Sequence, residues 1–182
     1  GQGAVVLRKD LCDELGIDPT GVASLQDLDE IFAKVKQVYP TMNMIGNDMT
    51  GFFNSMCDSL GGDYLGVLTN PADDMAVVNY YESDTFKTLT SLMYQWNEKG
   101  YVRADLSTST ESKEAVFAAG NTFCYFDAYK PDGAAEKKNQ TGYDVYLVPI
   151  GNAIMTSYNT TVTGYAVAQN SKDPAKAVQF LN

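Results

Sequence analysis

Histidine is missing from all 182 residues. Its absence removes Ser-His-Asp and Cys-His nucleophile pairs, His-ligated zinc and any imidazole general base, and most common hydrolase chemistry with them. Cysteine is scarce: Cys12, Cys57 and Cys124 stand far apart, so there is neither a CxxC redox pair nor a zinc knuckle, and buried free thiols are expected. Long apolar runs are lacking too. None approaches the roughly 18 residues that a membrane-spanning helix requires. Basic residues are outnumbered, 13 against 23 acidic, and the net charge of -10 argues against a nucleic-acid partner, whose binding draws on Lys and Arg. No metal or cofactor site is expected.

What is present is an ordinary globular balance, 45% hydrophobic and 20% charged, with 12 tyrosines and 8 phenylalanines. That is enough for a core in one compact body. Ala4-Val5-Val6-Leu7 reads as a strand. Leu25, Leu28, Ile31, Phe32, Val35 and Tyr39 recur at helical spacing and predict a helix starting at Ser24, with Asp27 as its acidic N3 residue, and stopping at Pro40. A short strand over 42–45 leads to Gly46-Asn47-Asp48. Phe52, Phe53, Met56 and Leu60 then predict a second helix, closed by Gly61-Gly62.

Residues 75–80 suit a strand, and Ser83 caps a third helix through Phe86, Leu89, Leu92, Met93 and Trp96, whose register places the single tryptophan in the core. A shorter helix over 110–119 ends at Gly120, and a β-rich run follows at Thr122-Phe123-Cys124-Tyr125-Phe126. Residues 127–142 read as a loop or poorly packed helix, 145–148 and 162–168 as strands, and Asp173-Pro174 as the start of a last helix. Strands separated by helices without a tandem repeat predict an α/β fold, a layered sheet with flanking helices.

Several segments, in order, resemble the bacterial extracellular solute-binding proteins of ABC importers, family 1, which includes maltodextrin-binding protein. Leu7-Arg8-Lys9-Asp10-Leu11 is similar to an N-K-D-L-like stretch at the crossover into the second lobe, with Arg8 in place of Asn. Residues 20–31 are similar to a P-x-T-W-x-E-L helix, with Leu25 where Trp is common. Gly46-Asn47-Asp48 with Phe52-Phe53 and Leu60-Gly61-Gly62 resembles a cleft-forming segment. Phe117-Ala118-Ala119-Gly120-Asn121 resembles F-x-x-G-K, and Gly164-Tyr165-Ala166-Val167 with Ser171-Lys172-Asp173-Pro174 resembles the family's closing motif. Tyr80-Tyr81-Glu82-Ser83 and the stretch from Trp96 to Val102 resemble Gram-positive lipoprotein members.

The resemblance implies a single lobe of a periplasmic-binding-protein-like (type II) fold, with the other lobe absent from this chain and any export signal upstream of Gly1. It implies a non-enzymatic, monomeric component that captures a small-molecule solute, a sugar, and hands it to ABC permease transmembrane subunits. It further implies a cell-surface lipoprotein or periplasmic location, with membrane attachment only through a tether outside this chain.

Candidate ligand-binding residues fall in three places. Asn47, Asp48, Phe52 and Phe53 match the cleft region, although a helix N-cap and core rings would explain Asp48 and the phenylalanines equally. Tyr125, Asp127 and Tyr129 share one side of a strand by alternation, where a carboxylate between two rings suits a sugar; a strand end with a solvated Asp is the plain alternative. Tyr158 and Asn159 resemble a third cleft loop, or a simple turn. Competing functions are a glycoside hydrolase using Asp127 and Glu82 as its two carboxylates, and a surface adhesion or scaffold module.

Overall fold

The computed structural model describes residues 1–47, 49, 52, 56–61, 65–154, 156 and 166–181. Its main sheet has four strands in the order β2-β5-β1-β6: β1 Gly3–Arg8, β2 Asn43–Ile45, β5 Thr122–Ala128 and β6 Val145–Ile150. The central strand, β1, runs antiparallel to both β5 and β6, and β2 joins β5 in parallel. Every residue of β1 is buried, which is what a strand covered on both faces requires of its sequence. This is the α/β layered sheet with flanking helices that the sequence predicts.

On one face Val5, Leu7, Cys124, Phe126, Val148 and Ile150 meet the larger core, filled by helix α2 (Leu28–Val38) and helix α3 (Asp84–Glu98). Phe32 of α2 stands edge-on to Trp96 at 5.2 Å and to Tyr101 at 5.6 Å. Trp96 is fully buried, as its register predicts, and its indole N–H donates to Asp29 at 3.2 Å. On the other face Val6, Tyr125 and Val145 pack with Phe117 of helix α4 (Lys113–Ala118) and Ala134 of helix α5 (Gly133–Thr141). The three cysteines are free and buried.

Local chemistry explains the boundaries. The Ser83 hydroxyl accepts the Phe86 N–H at 3.1 Å and opens α3, and at the far end Tyr101 N–H reaches back to Trp96 O around Gly100, whose φ of +67° suits glycine. Helix α2 differs from expectation. It begins at Leu28, because the Asp27 carboxylate accepts the Ala23 and Ser24 amides and holds those residues in a turn, leaving Ser24 outside the helix.

Three further expectations are corrected. The helix expected to run from Phe52 to Leu60 does not reach Leu60: Asp58–Ser59 is a short strand, β3, paired antiparallel with β4 (Val67–Leu68). The strand expected over 75–80 reduces to one bridge, Val78 to Val67, before a 3-10 turn at Tyr80–Glu82. Residues 9–14, to which the sequence reading assigns no element, form helix α1 (Lys9–Glu14). Residues 133–141 are a helix; the sequence left that point open. Of the strand expected over 162–168, residues 162–165 lie outside the described residues and 166–168 have no regular structure. The last helix, α6 (Pro174–Leu181), starts where Asp173 accepts the Lys176 amide at 2.9 Å.

Candidate functional site

At the edge of the sheet where β2 and β5 end side by side there is a depression of about 470 Å³. Phe52 and Phe126 lie beneath it, their buried rings 5.0 Å apart. Gly46 and Asn47 follow β2, Asp127 and Ala128 finish β5, and Leu106, Ser109, Glu111 and Lys113 complete the lining. The segment carrying Leu106 to Glu111 is tied to β2 through the Arg103 N–H, which donates to Ile45 O at 3.2 Å. Gly46 has no room for a side chain, since a Cβ there would sit 2.6 Å from Thr122 Cγ2 and 3.0 Å from Val116 Cγ1. The close approach of β2 to β5 depends on it.

Asn47 continues the β2/β5 ladder with its side chain. Its Oδ1 accepts the Phe126 N–H at 3.1 Å and its Nδ2 donates to Phe126 O at 3.3 Å. The amide therefore fixes the wall of the depression before it meets any solute. Phe52 is buried against Phe126 and contributes apolar floor.

Asp127 is more constrained than the sequence suggests. Oδ1 accepts Lys113 Nζ and the Ala128 N–H, both at 2.8 Å, and Oδ2 lies 2.5 Å from Lys137 Nζ. Lys137, from α5, is only 4% exposed. Burial pushes the Asp127 carboxyl upward, but the hydrogen bonds from Lys113 and Lys137 outweigh it and hold the group below the usual carboxylate range. On the rim, Arg103 binds Glu111 at 2.6 Å and also pairs with Asp105.

The structure brings Asn47, Phe52 and Asp127 to one depression and separates Tyr125 from them. Alternation does put Tyr125 on the side of Asp127, but that side lies under α4 and α5. Tyr125 is fully buried, edge-on to Phe117 at 5.0 Å, so it is a core residue and not a ligand contact. Its neighbour Phe126 belongs to the residues around the depression, with its ring buried against Phe52. Tyr129 is 37% exposed, just beyond Ala128, with its N–H bonded to Gln2 O; it does not line the depression. Asp48, Phe53, Tyr158 and Asn159 lie outside the described residues.

The two-carboxylate hydrolase reading fails on geometry. Glu82 lines a different depression, with Thr69, Asn79 and Ser83, so it does not face Asp127 across one site. Sequence reasoning missed Ser109, Glu111, Lys113 and Phe126. The one available signal was Lys113 opening a helix just ahead of the strand that carries Asp127.

Among the described residues no group of His, Cys, Asp or Glu is placed to hold a metal ion, and no helix is long and apolar enough to cross a membrane.

Comparison with known proteins agrees with this architecture. No family model matches the chain. A carbohydrate ABC transporter substrate-binding protein of Streptococcus pneumoniae serotype 4 is 25% identical over an alignment of 178 positions that covers 94% of this chain and 35% of that protein. The N-glycan transport solute-binding protein NgtS of Streptococcus pneumoniae, solved with Man1GlcNAc, superposes with a TM-score of 0.74 at 23% identity, covering 100% of this chain and 41% of that one. Its complex with Man5GlcNAc gives 0.73 at 24%, covering 99% and 40%. A solute-binding protein of Agrobacterium vitis S4 with bound D-mannitol gives 0.57 at 16%, covering 83% and 37%. The chain has the type II periplasmic-binding fold of these proteins and spans 35% to 41% of their length.

Proposed function

We propose that this chain is one lobe of a non-enzymatic, two-lobe solute-binding protein of a carbohydrate importer, and that the depression at the β2 and β5 ends is one wall of its ligand cleft. The observation that carries this reading is the convergence of Asn47 and Asp127 on one open depression backed by the buried Phe52 and Phe126, in a chain that folds like proteins solved with glycans bound. Polar groups held rigidly on an apolar base suit sugars, which present apolar faces and hydroxyl edges.

Magnitudes account for the second lobe. Covering about 50 Å² of apolar sugar surface yields roughly 1 kcal/mol at about 25 cal/mol per Å². Micromolar affinity needs about 8 kcal/mol. One wall with two rings falls short, and hydrogen bonds from a facing lobe, made only when the cleft closes, supply the remainder. Ligand then favours the closed state because that state alone makes both sets of contacts, and an ABC permease recognises it. The protein works outside the cytoplasmic membrane, as a tethered lipoprotein or in the periplasm, as a monomer.

The test is titration calorimetry of the full-length protein against a panel of mannose- and N-acetylglucosamine-containing oligosaccharides. Saturable binding without release of new reducing ends is expected, and Ser109→Trp, which fills the depression from a loop position, should weaken it at least tenfold. Failure to bind any glycan, or turnover of one, overturns the reading.

A further inference from the structure

The charges at the described lining and just behind it balance as a group: Asp127 takes both Lys113, at 2.8 Å, and the buried Lys137, at 2.5 Å, while Arg103 takes both Glu111, at 2.6 Å, and Asp105, so that three cations face three anions. An ionised solute entering here meets described lining residues whose charges already cancel. To be held by charge it would have to displace an existing partner and strand another charge in a partly buried place.

Hydrogen-bonding capacity is nonetheless left over. The Lys113 ammonium has three N–H donors and uses one, on Asp127 Oδ1. Glu111 binds Arg103 through Oε2, and its Oε1 accepts no hydrogen bond from the described residues. A donor and an acceptor thus stand on the same rim, which is what a hydroxyl needs, since it gives one hydrogen bond and takes another.

Resting on the carbohydrate reading above, we propose that the depression selects neutral over anionic sugars, and that Lys113 and Glu111 set this specificity by reading ligand hydroxyls. Lys113 donates to a hydroxyl oxygen while Asp127 keeps its ammonium in place. Glu111 accepts from a hydroxyl and repels a carboxylate in the same position.

The experiment uses the full-length protein and matched pairs of probes: mannose- and N-acetylglucosamine-containing oligosaccharides and the same oligosaccharides capped with sialic acid. The neutral member of a pair should bind at least tenfold tighter, a difference of about 1.4 kcal/mol. Lys113→Met should weaken the neutral glycan about tenfold. Glu111→Gln, which keeps an acceptor oxygen and removes the charge, should weaken the neutral glycan less than Lys113→Met does and narrow the gap to its sialylated partner. Where circular dichroism shows that Lys113→Met is unfolded, Glu111→Gln alone decides. Sialylated glycans binding as tightly as their parents, or a gap unmoved by Glu111→Gln, overturn the specificity while the carbohydrate reading stands. No glycan binding at all overturns both.

Discussion

The side-chain amide of Asn47 pairs with both main-chain groups of Phe126, standing in for one more residue of β2 where that strand has ended. β2 is three residues long and sits at the sheet edge, so this pairing is a large share of what holds it against β5. Asn47→Ala leaves the partly buried Phe126 N–H and C=O without those partners and should cost about 1–3 kcal/mol. Chemical denaturation of the variant checks the size. Asn47→Asp should cost at least as much, because a carboxylate facing Phe126 O cannot donate.

A second expectation separates core from cleft at Tyr125. The ring is enclosed and its hydroxyl makes no hydrogen bond among the described residues. An unsatisfied buried hydroxyl lowers stability by about 1–3 kcal/mol relative to a partnered one. Tyr125→Phe removes the hydroxyl and keeps the ring against Phe117, so the protein should gain up to about 1 kcal/mol and bind glycans unchanged. Denaturation and calorimetry on the same preparation test both halves. Weaker binding at equal stability would return Tyr125 to the site.

Much of this architecture is legible in the sequence where one side chain decides the local outcome. The continuous apolar run of β1, the Ser83 cap and the 3.6-residue spacing of Leu89, Leu92 and Trp96 each fix an element before any tertiary contact is known. Reading fails where partners are distant. Asp27 looks like the third residue of a helix, and its carboxylate instead takes two upstream amides. Residues 133–141 show little amphipathic pattern because the inward-facing side chain that matters is Lys137, whose burial is intelligible only with Asp127 beside it. The site was half readable. Type and spacing mark Asn47, Phe52 and Asp127 as candidates, but alternation cannot tell that helices roof this face of β5 over Tyr125, and so it offers an enclosed ring.

Asp127 ties three elements, since its carboxylate joins β5 to Lys113 of α4 and Lys137 of α5. Burial disfavours its charge, and the two ammonium groups more than compensate, leaving its pKa in the folded protein below the usual value near 4. A carboxyl whose folded pKa is depressed adds stability above the unfolded pKa and loses it as pH falls through the folded one. The contribution of Asp127 is therefore complete above about pH 5 and fades on acidification below about pH 4. Asp127→Asn removes it at every pH and strands Lys137 in the interior, where breaking a buried pair costs about 3–5 kcal/mol. The variant should be that much less stable at pH 7, with the difference from wild type shrinking as both are taken toward pH 3. Replacing both partners, Asp127→Asn with Lys137→Met, should recover much of the loss, because the stranded charge is gone. A double variant no more stable than Asp127→Asn would mean that the ion pair does not hold α5 to the sheet.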